Sequence, residues 1–333
     1  MKSSLMKLIL ITGSKGFIAS HLIQFLLKKQ LYNIRAAFRT NFSQLSPNVI
    51  PIPIGNIDGN TDWIDALKGT DTVIHLAARA HVLHDSSSYP EAEFFKVNTE
   101  GTTNLVRQSI AAGVKHFIFI SSIGAIATLS DQILTENSPC NPDTPYGRSK
   151  LQAEKALIDL ASKSSMTWTI LRPTLVYGQG NPGNMERLIK LVKQGWPLPF
   201  GLVKNRRSFV YVGNLVDAIA TCITHPNAKN QIFLVSDRQY LSTPELIRKI
   251  AYHLGRPCNL LPVPPRLLKL AGYLGDTVEH LLNRPIPLNS ATIERLLGSL
   301  AVDSSYIQTT LNWQPPYSID QGLEQTLRSL WHS

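Results

Sequence analysis

The chain has 333 residues, of which 43% are hydrophobic and 17% are charged. This length suits one large domain or two modest ones, and the apolar content is too high for a mainly disordered chain. Three widely spaced cysteines exclude a disulfide scaffold and favour a reducing, cytoplasmic environment. No run of about 18 apolar residues occurs, so we expect no stable membrane insertion.

The net charge of +10 is compatible with nucleic acid, an anionic membrane surface or a phosphate-bearing small molecule as partner. The first 57 residues contain seven cations and no acidic residue. These cations are scattered, whereas a nucleic-acid-binding segment usually carries a run of them. We therefore expect no nucleic-acid partner.

Short apolar runs alternate with segments of helical periodicity along the first half of the chain. The predicted strands are residues 8–12, 34–38, 49–54, 73–76, 117–120 and 167–171. The predicted helices are residues 17–29, 91–112 and 144–163. This alternation predicts an α/β fold with a Rossmann-type, doubly wound parallel sheet that helices cover on both faces.

The regular alternation ends after Arg172, where prolines and glycines become frequent. Further helices are predicted at residues 185–194, 244–254 and 265–282. We expect residues 1–175 to form the doubly wound part and residues 176–333 a smaller, mixed part. No low-complexity linker separates them, so they should pack closely with a cleft between them.

The first predicted strand runs into Thr12–Ala19, which has the spacing T-G-x-x-G-x-x-G with Ala19 in the last position. Gly13 permits a tight turn, Gly16 lets the backbone approach a pyrophosphate, and the next helix offers free N–H groups. In this strand–turn–helix context the motif predicts a dinucleotide site. The predicted contacts in this loop are Gly13, Ser14, Lys15, Gly16, Phe17 and Ile18.

A second glycine pattern, Gly178–Gly183, also has the spacing G-x-G-x-x-G. It contains Pro182, and no strand–helix–strand unit follows it. We interpret it as a loop without a phosphate-binding role.

The end of the second strand bears on which nicotinamide dinucleotide is bound. An NAD site usually has an acidic residue there for the ribose hydroxyls, but none occurs before Asp58. Arg39 stands at this place, and a guanidinium can hold a 2′-phosphate. Arg39 therefore favours NADP as the cofactor. The alternative is that Arg39 is solvated or stacks on the adenine, in which case NAD is equally possible.

Tyr146 and Lys150 are four residues apart on a predicted helix and share one face. Ser122 follows the strand at 117–120, at the sheet edge where parallel sheets bind ligands. A tyrosine base needs its pKa lowered by about 3 units, and one cation supplies about 1–3 units. Lys150 alone barely supplies this lowering of the pKa, so the positively charged nicotinamide ring must assist when Tyr146 acts as a base in oxidation. In reduction Tyr146 acts as an acid, and the requirement on its pKa relaxes. We predict Ser122, Tyr146 and Lys150 as catalytic residues, with Ser122 holding the substrate oxygen; the alternative is a solvent-facing helix.

The whole set of motifs resembles that of the extended short-chain dehydrogenase/reductase superfamily. Three further stretches contribute to this resemblance, namely Val73–Ala78, Val97–Thr102 and Leu171–Gly178. The closest branch is that of nucleotide-sugar epimerases and dehydratases, and the resemblance covers almost the whole chain. It implies a homodimer formed through the helices at 91–112 and 144–163. It implies further cofactor-site residues, namely Asn56 and Ile57 near the adenine, Leu76, Ala77 and Ala78 in the wall, and Asn98 and Pro173 nearby, besides Tyr146 and Lys150.

The resemblance also implies a UDP-linked sugar substrate held by residues 176–333. Arg207 corresponds to an arginine that meets the diphosphate, Asn184 to a residue that reaches the same phosphates, and Phe200 to a residue near the uracil. A surface ion pair is the alternative for Arg207. The family often has Asn where Leu175 stands, which leaves the nucleotide open.

Two other features have no assigned chemistry. His81 and His84 follow the fourth strand, where they could pack or touch the sugar; no ligand cluster accompanies them, so we expect no metal. Residues 261–282 are apolar with scattered Lys and Arg. We expect a lid over the substrate cleft there, with a membrane-surface helix as the alternative.

Three reactions share this scaffold. A 4,6-dehydratase would have Asp-Glu after the strand-end serine, but here Ile123 and Gly124 follow. Arg39 favours exchangeable NADPH and therefore a 4-ketoreductase acting on a UDP-4-keto-6-deoxy-hexosamine for surface polysaccharide. The alternatives are a 4-epimerase of UDP-glucose or UDP-N-acetylglucosamine that retains NAD, an NADPH reductase of a non-nucleotide carbonyl, and a non-catalytic dinucleotide-binding protein.

Overall fold

The computed structural model describes residues 6–40, 47–80, 90–181, 183–282 and 289–328. In chain order the strands are β1 (Lys7–Thr12), β2 (Tyr32–Phe38), β3 (Val49–Pro53), β4 (Thr72–His75), β5 (His116–Ile120), β6 (Ser130–Leu134), β7 (Thr167–Pro173), β8 (Leu175–Tyr177), β9 (Arg207–Tyr211), β10 (Gln231–Val235), β11 (Tyr240–Leu241) and β12 (Leu300–Val302). The α-helices are α1 (Phe17–Lys29), α2 (Ile64–Leu67), α3 (Pro90–Phe94), α4 (Gly101–Ala111), α5 (Pro145–Ala161), α6 (Asn184–Lys193), α7 (Val212–Thr224), α8 (Thr243–His253), α9 (Pro265–Leu282), α10 (Ser290–Leu297), α11 (Ser305–Leu311) and α12 (Ile319–Leu327).

Seven strands form one parallel sheet in the order β10-β7-β5-β4-β1-β2-β3. The order reverses between β1 and β4, because the chain builds one half outward from β1 and then returns to build the other half. Parallel sheets of this kind bind ligands beyond the carboxyl ends of their strands at such a reversal. The predicted Rossmann-type α/β fold is confirmed.

Two apolar layers cover the faces of this sheet. Ile9 and Ile11 of β1 belong to a buried cluster with side chains of α1 and α7. Leu10 points to the opposite face and belongs to a cluster with Leu105 of α4 and Leu157 of α5. The alternation follows from the two-residue period of a strand, and it explains why this strand is apolar throughout.

A second sheet has the order β11-β9-β12-β6, and β8 pairs with β9. Its strand β6 comes from the first half of the chain, whereas β10 of the large sheet comes from the second half. The chain therefore crosses more than once between the two predicted parts, residues 1–175 and 176–333. Their boundary at residue 175 stays a prediction. The cluster beside the second sheet is built from side chains of α6, α8 and α12.

The helix predicted at 91–112 is continuous but not uniform. It begins as α3, passes through a π-helical turn at Phe95–Glu100, and continues as α4. A Cβ on Gly101, which follows this turn, would lie only 2.6 Å from the Cγ2 atom of Ile57. The glycine thus allows the helix to approach Ile57 closely, and the π-helical turn carries the buried Asn98.

The second glycine pattern is a loop between β8 and α6, as predicted, with Pro182 outside the described residues. Across the parts of the chain that the structure covers, no helix is long and apolar enough to cross a bilayer.

Candidate active site

The loop after β1 has the shape that a phosphate group requires. Gly13 has a φ of +67°, and a Cβ there would lie 2.8 Å from the backbone of Ala77. The N–H of Gly16 donates to the Gly13 carbonyl at 2.7 Å, which closes the turn. Helix α1 then begins without a side-chain cap and without an acidic residue in its first turn. The loop therefore presents backbone N–H groups and the positive end of a helix to a ligand.

A cavity of about 800 Å³ opens beside this loop. Its walls are the loop, the ends of β2, β3 and β4, and one turn of the long helix, contributed by Gly13, Ser14, Lys15, Gly16, Ala37, Phe38, Arg39, Thr40, Ile54, Gly55, Asn56, Ile57, Asp58, Leu76, Ala77, Ala78, Arg79, Ala80, Glu93, Lys96 and Val97. Ten predicted cofactor residues are among them; Phe17, Ile18, Asn98, Tyr146, Lys150 and Pro173 are not. The glycine-lined loop and this volume fit a dinucleotide, and the individual contacts remain predictions.

A buried histidine, which the sequence reasoning left without a role, supports the cavity wall. The N–H groups of Leu76 and Ala77 both donate to Thr12 Oγ1 at 3.2 Å, so the Thr12 hydroxyl donates to Nδ1 of His75, 2.7 Å away. His75 Nε2–H then donates to Thr102 Oγ1 at 2.9 Å. Burial lowers the pKa of His75 to about 3. His75 is therefore neutral, with its proton on Nε2, and it holds β1, β4 and α4 in register.

Asn98 joins the cavity wall to helix α5. Its Oδ1 accepts from the N–H of Arg79 at 2.8 Å, and its Nδ2 donates to the Arg79 carbonyl at 3.1 Å and to Ser149 Oγ at 3.0 Å. Ser149 in turn donates to the carbonyl of Tyr146 at 2.8 Å. The amide of Asn98 is thus bonded to protein groups and positions the turn that carries Tyr146, while its place near the cofactor stays a prediction.

Helix α5 brings the three predicted catalytic residues together. It begins after Thr144, whose Oγ1 accepts from the N–H of Gly147 at 3.1 Å. Tyr146 is hydrogen-bonded to Ser122, which also accepts from the N–H of Gly124. Lys150 is buried, donates to the carbonyl of Ile120 at 2.8 Å and lies 4.5 Å from the centre of the Phe119 ring. The end of β5 and the first turns of α5 therefore form one constellation.

The electrostatics of this constellation differ from the expectation. Burial raises the pKa of Tyr146 to about 12, and the hydrogen bond with Ser122 opposes this only in part. Burial also lowers the pKa of Lys150 to about 7, and the charge of Glu154 opposes that change. Lys150 was expected to lower the pKa of Tyr146, but in the protein by itself burial outweighs any such effect. The protein alone thus favours the protonated phenol, which is the form that donates a proton.

The predicted substrate residues lie outside the lining of the cavity. The Arg207 guanidinium donates to the carbonyls of Arg295 at 2.7 Å and Gly298 at 3.2 Å, near the end of α10. Burial lowers its pKa, and the nearby charge of Arg295 adds to this. These partners are main-chain oxygens, and the contact of Arg207 with a diphosphate stays a prediction. Phe200 is buried in the cluster beside the second sheet, and Asn184 is exposed at the start of α6.

Residues 9–236 match the profile of the NAD dependent epimerase/dehydratase family. The chain belongs to this family. It is 42% identical to the UDP-glucose 4-epimerase of Vibrio cholerae over 327 residues, 97% of this chain and 95% of that protein. The resemblance seen in the motifs is thereby confirmed, and with it the prediction of an enzyme.

Two further similarities extend along the chain. The N-acetyl-alpha-D-glucosaminyl-diphospho-ditrans,octacis-undecaprenol 4-epimerase of Escherichia coli O157:H7 is 28% identical, covering 96% of this chain and 94% of that protein. The crystal structure of the UDP-glucose 4-epimerase of Thermotoga maritima with UDP-glucose superposes with a TM-score of 0.74 at 23% identity, covering 98% and 99% of the two chains. The structural match supports the fold.

This member of the family also buries an ion pair that the sequence reasoning missed. Arg172 on β7 donates to both carboxylate oxygens of Glu154, at 3.0 and 2.5 Å, and Ser121 donates to one of them. Both charged side chains are at most 3% exposed. Glu154 is four residues beyond Lys150 on α5, so the spacing of Tyr146, Lys150 and Glu154 is the signal that could have identified it.

His81 and His84 lie outside the described residues. Within the ranges that are described, no group of three or more His, Cys, Asp or Glu side chains could hold a metal ion.

Proposed function

We propose that the protein is a 4-epimerase of a diphosphate-linked hexose, with UDP-glucose and UDP-galactose as the first pair of substrates to test. The observation that carries the proposal is the 42% identity, along almost the full length, to a protein named UDP-glucose 4-epimerase. The E. coli relative, by its name, acts on a sugar whose diphosphate is linked to undecaprenol. Leu175 departs from the family pattern, and we therefore name UDP as the first carrier to test.

The mechanism follows from the groups around Tyr146. A bound nicotinamide dinucleotide supplies an acceptor and donor of hydride at the sugar carbon. Tyr146 removes the proton from the C4 hydroxyl as the carbonyl forms and returns it when the alcohol is restored. Ser122 is hydrogen-bonded to the phenol and can share the same substrate oxygen.

Lys150 controls the charge beside this proton transfer. Its pKa of about 7 means that it gains and loses a proton near neutral pH. When charged, it stabilises the phenolate form of Tyr146 by Coulomb attraction; when neutral, it leaves the phenol protonated. Oxidation of the C4 alcohol needs the phenolate form of Tyr146, so activity should fall as Lys150 loses its proton with rising pH.

For the cofactor we propose NAD, which the family description names. A 4-epimerase would hold it through the whole cycle. The preference for NADP that Arg39 suggested has no support from the comparisons. Arg39 does line the cavity and is exposed there, so a 4-ketoreductase of a UDP-4-keto-6-deoxy-hexosamine using NADPH is the second candidate. Mass spectrometry of the dinucleotide released on denaturation separates the two, because a retained, near-stoichiometric NAD fits the epimerase and an empty protein that prefers NADPH fits the reductase.

The decisive experiment is reversible isomerisation. The purified protein is incubated with UDP-glucose and, separately, with UDP-galactose, and NMR follows the sugars. The proposal requires both reactions to reach the same mixture without net consumption of cofactor. Turnover only of a 4-keto sugar, with stoichiometric oxidation of NADPH, would replace the epimerase by the reductase.

We also propose a cytoplasmic homodimer. The location is supported by the three cysteines, all of which are free thiols, one of them exposed. The dimer, through α3, α4 and α5, rests on the family resemblance. Sedimentation velocity at several concentrations tests it.

A further inference from the structure

Helix α9 has one covered face and one open face. On the covered face Leu268 is buried, and a Cβ on Gly272 would lie 3.0 Å from the Cα of Ser290 in α10. On the opposite face Leu267, Leu270, Leu274 and Val278 are 41–60% exposed. Their spacing of three, four and four residues places them along a single line of the helix. We call these four side chains the α9 stripe.

The two acidic residues of α9 lie on the side that faces α10. Asp276 accepts from the N–H of Ser290 at 2.9 Å, and Glu279 accepts from Asn289 at 3.2 Å. Arg266 is exposed next to the α9 stripe, whereas Lys269, seven residues before Asp276, is exposed on the side of the helix that bears this acid. The open side of the helix therefore combines aliphatic side chains with the cation of Arg266.

Other apolar side chains are exposed in two segments that precede α9 along the chain. The N–H of Gly201 donates to the carbonyl of Leu261 at 2.9 Å, which brings these two segments together. Leu202 and Leu261 are both more than 40% exposed. On the helix itself Tyr273 is 63% exposed, three residues from Leu270, and an aromatic side chain beside an aliphatic stripe is typical of a helix that lies in a membrane interface.

We propose that the α9 stripe docks on the surface of an anionic phospholipid bilayer. The aliphatic side chains would enter the boundary between headgroups and acyl chains, while Arg266 remains among the anionic headgroups. The net charge of +10 adds a long-range attraction to such a surface. A second copy of the chain is a poorer occupant, because a two-fold contact across the stripe would bring Arg266 near its own equivalent. The docking is peripheral and does not depend on which sugar is the substrate.

The test is flotation of the protein with lipid vesicles. Vesicles of phosphatidylcholine alone are compared with vesicles that also contain phosphatidylglycerol, at low and high salt. The test variant is the double substitution Leu270→Gln and Leu274→Gln. The matched control is Leu31→Gln with Ile64→Gln, two aliphatic side chains that are 60% and 71% exposed on the Rossmann part.

We expect the wild type and the control to float with the anionic vesicles at low salt, and the α9 variant to lose at least about tenfold in apparent affinity. Substituting Arg266→Gln should weaken the salt dependence as well as the binding. Thermal melting checks that every variant is folded. Failure of the wild type to float, or equal flotation of the α9 variant, would overturn the proposal. The proposal would also be overturned if the wild type did not bind vesicles but formed a dimer that the α9 substitutions dissociate. The α9 stripe would then contact a second copy of the chain.

Discussion

The carboxylate of Glu154 is held by the guanidinium of Arg172 through two hydrogen bonds, inside the protein and one helical turn beyond Lys150. This ion pair joins α5 to β7 behind the constellation of Ser122, Tyr146 and Lys150. Its negative charge raises the pKa of Lys150 against the effect of burial. Glu154 is therefore a positioning residue that also influences the charge beside the proton-transfer group.

Glu154→Gln tests this influence. Removal of the charge should lower the pKa of Lys150 further below about 7, so the loss of activity with rising pH should begin at a lower pH. Because Arg172 loses its counter-charge in the interior, we also expect a loss of about 3–5 kcal/mol in unfolding free energy. The measurement is the pH profile of kcat on folded protein. Asp159→Asn, which removes an exposed ion pair with Lys163 on the same helix, is the control, and an unmoved profile in Glu154→Gln would refute the electrostatic role.

Tyr146→Phe should abolish turnover and leave dinucleotide binding unchanged. The phenol oxygen is the proton carrier in the proposed mechanism, and its loss is expected to cost a factor of about 10²–10⁴. Turnover by NMR and dinucleotide binding by calorimetry separate the two effects. Tyr252→Phe is the control, because that side chain is 81% exposed and outside the site. Retained turnover in Tyr146→Phe would refute the mechanism.

Gly13→Ala should lose both stability and dinucleotide binding. The φ of +67° alone costs about 1–2 kcal/mol for a residue with a Cβ, and the added atom would also collide with the backbone of Ala77. Gly69→Ala isolates the first effect, since Gly69 has a φ of +71° and nothing within 4 Å of the added Cβ. We expect similar dinucleotide affinity for Gly69→Ala and the wild type, and a loss of at least about tenfold for Gly13→Ala. Equal behaviour of the two variants would show that the close approach to Ala77 is unimportant.

His75 should make the fold sensitive to acid. The unfolded chain protonates this histidine below about 6.5, whereas the folded protein does not until about 3, so stability falls as the pH drops through that range. Asp237, whose pKa burial raises to about 6, acts in the opposite direction. The test therefore compares His75→Gln with the wild type in urea titrations from pH 7 to 5. The unfolding free energy of His75→Gln should decline less over this range than that of the wild type. Equal slopes would mean that His75 is not neutral and buried in the folded protein.

Local patterns in the sequence account for most of the large sheet and for the catalytic helix. The helix predicted at residues 17–29 is α1, because its apolar period and the glycines before it are local signals. The π-helical turn at Phe95–Glu100 was not predictable, since it accompanies a contact between Gly101 and Ile57, which are far apart in sequence. The same holds for the partners of Arg207, which are 88 and 91 residues away.

The site illustrates the same limit. The order of glycines in the loop and the spacing of Tyr146 and Lys150 indicated where a dinucleotide and a proton carrier belong. The direction of the pKa shift of Tyr146 depends on how deeply its ring is packed, which no spacing reveals. The cofactor preference was drawn from Arg39 and from the absence of an acidic residue before Asp58, and the comparisons give this preference for NADP no support.

The strand β10 has a consequence for how the chain acquires its fold during synthesis. It is the last strand of the large sheet in chain order and pairs with β7, while α7 just before it packs in the same cluster as α1. Until residue 235 has left the ribosome, the growing polypeptide has β7 as an open edge and the apolar side of α1 uncovered. During this stage of synthesis the sheet is incomplete, and a chaperone that binds open strand edges would have its opportunity there.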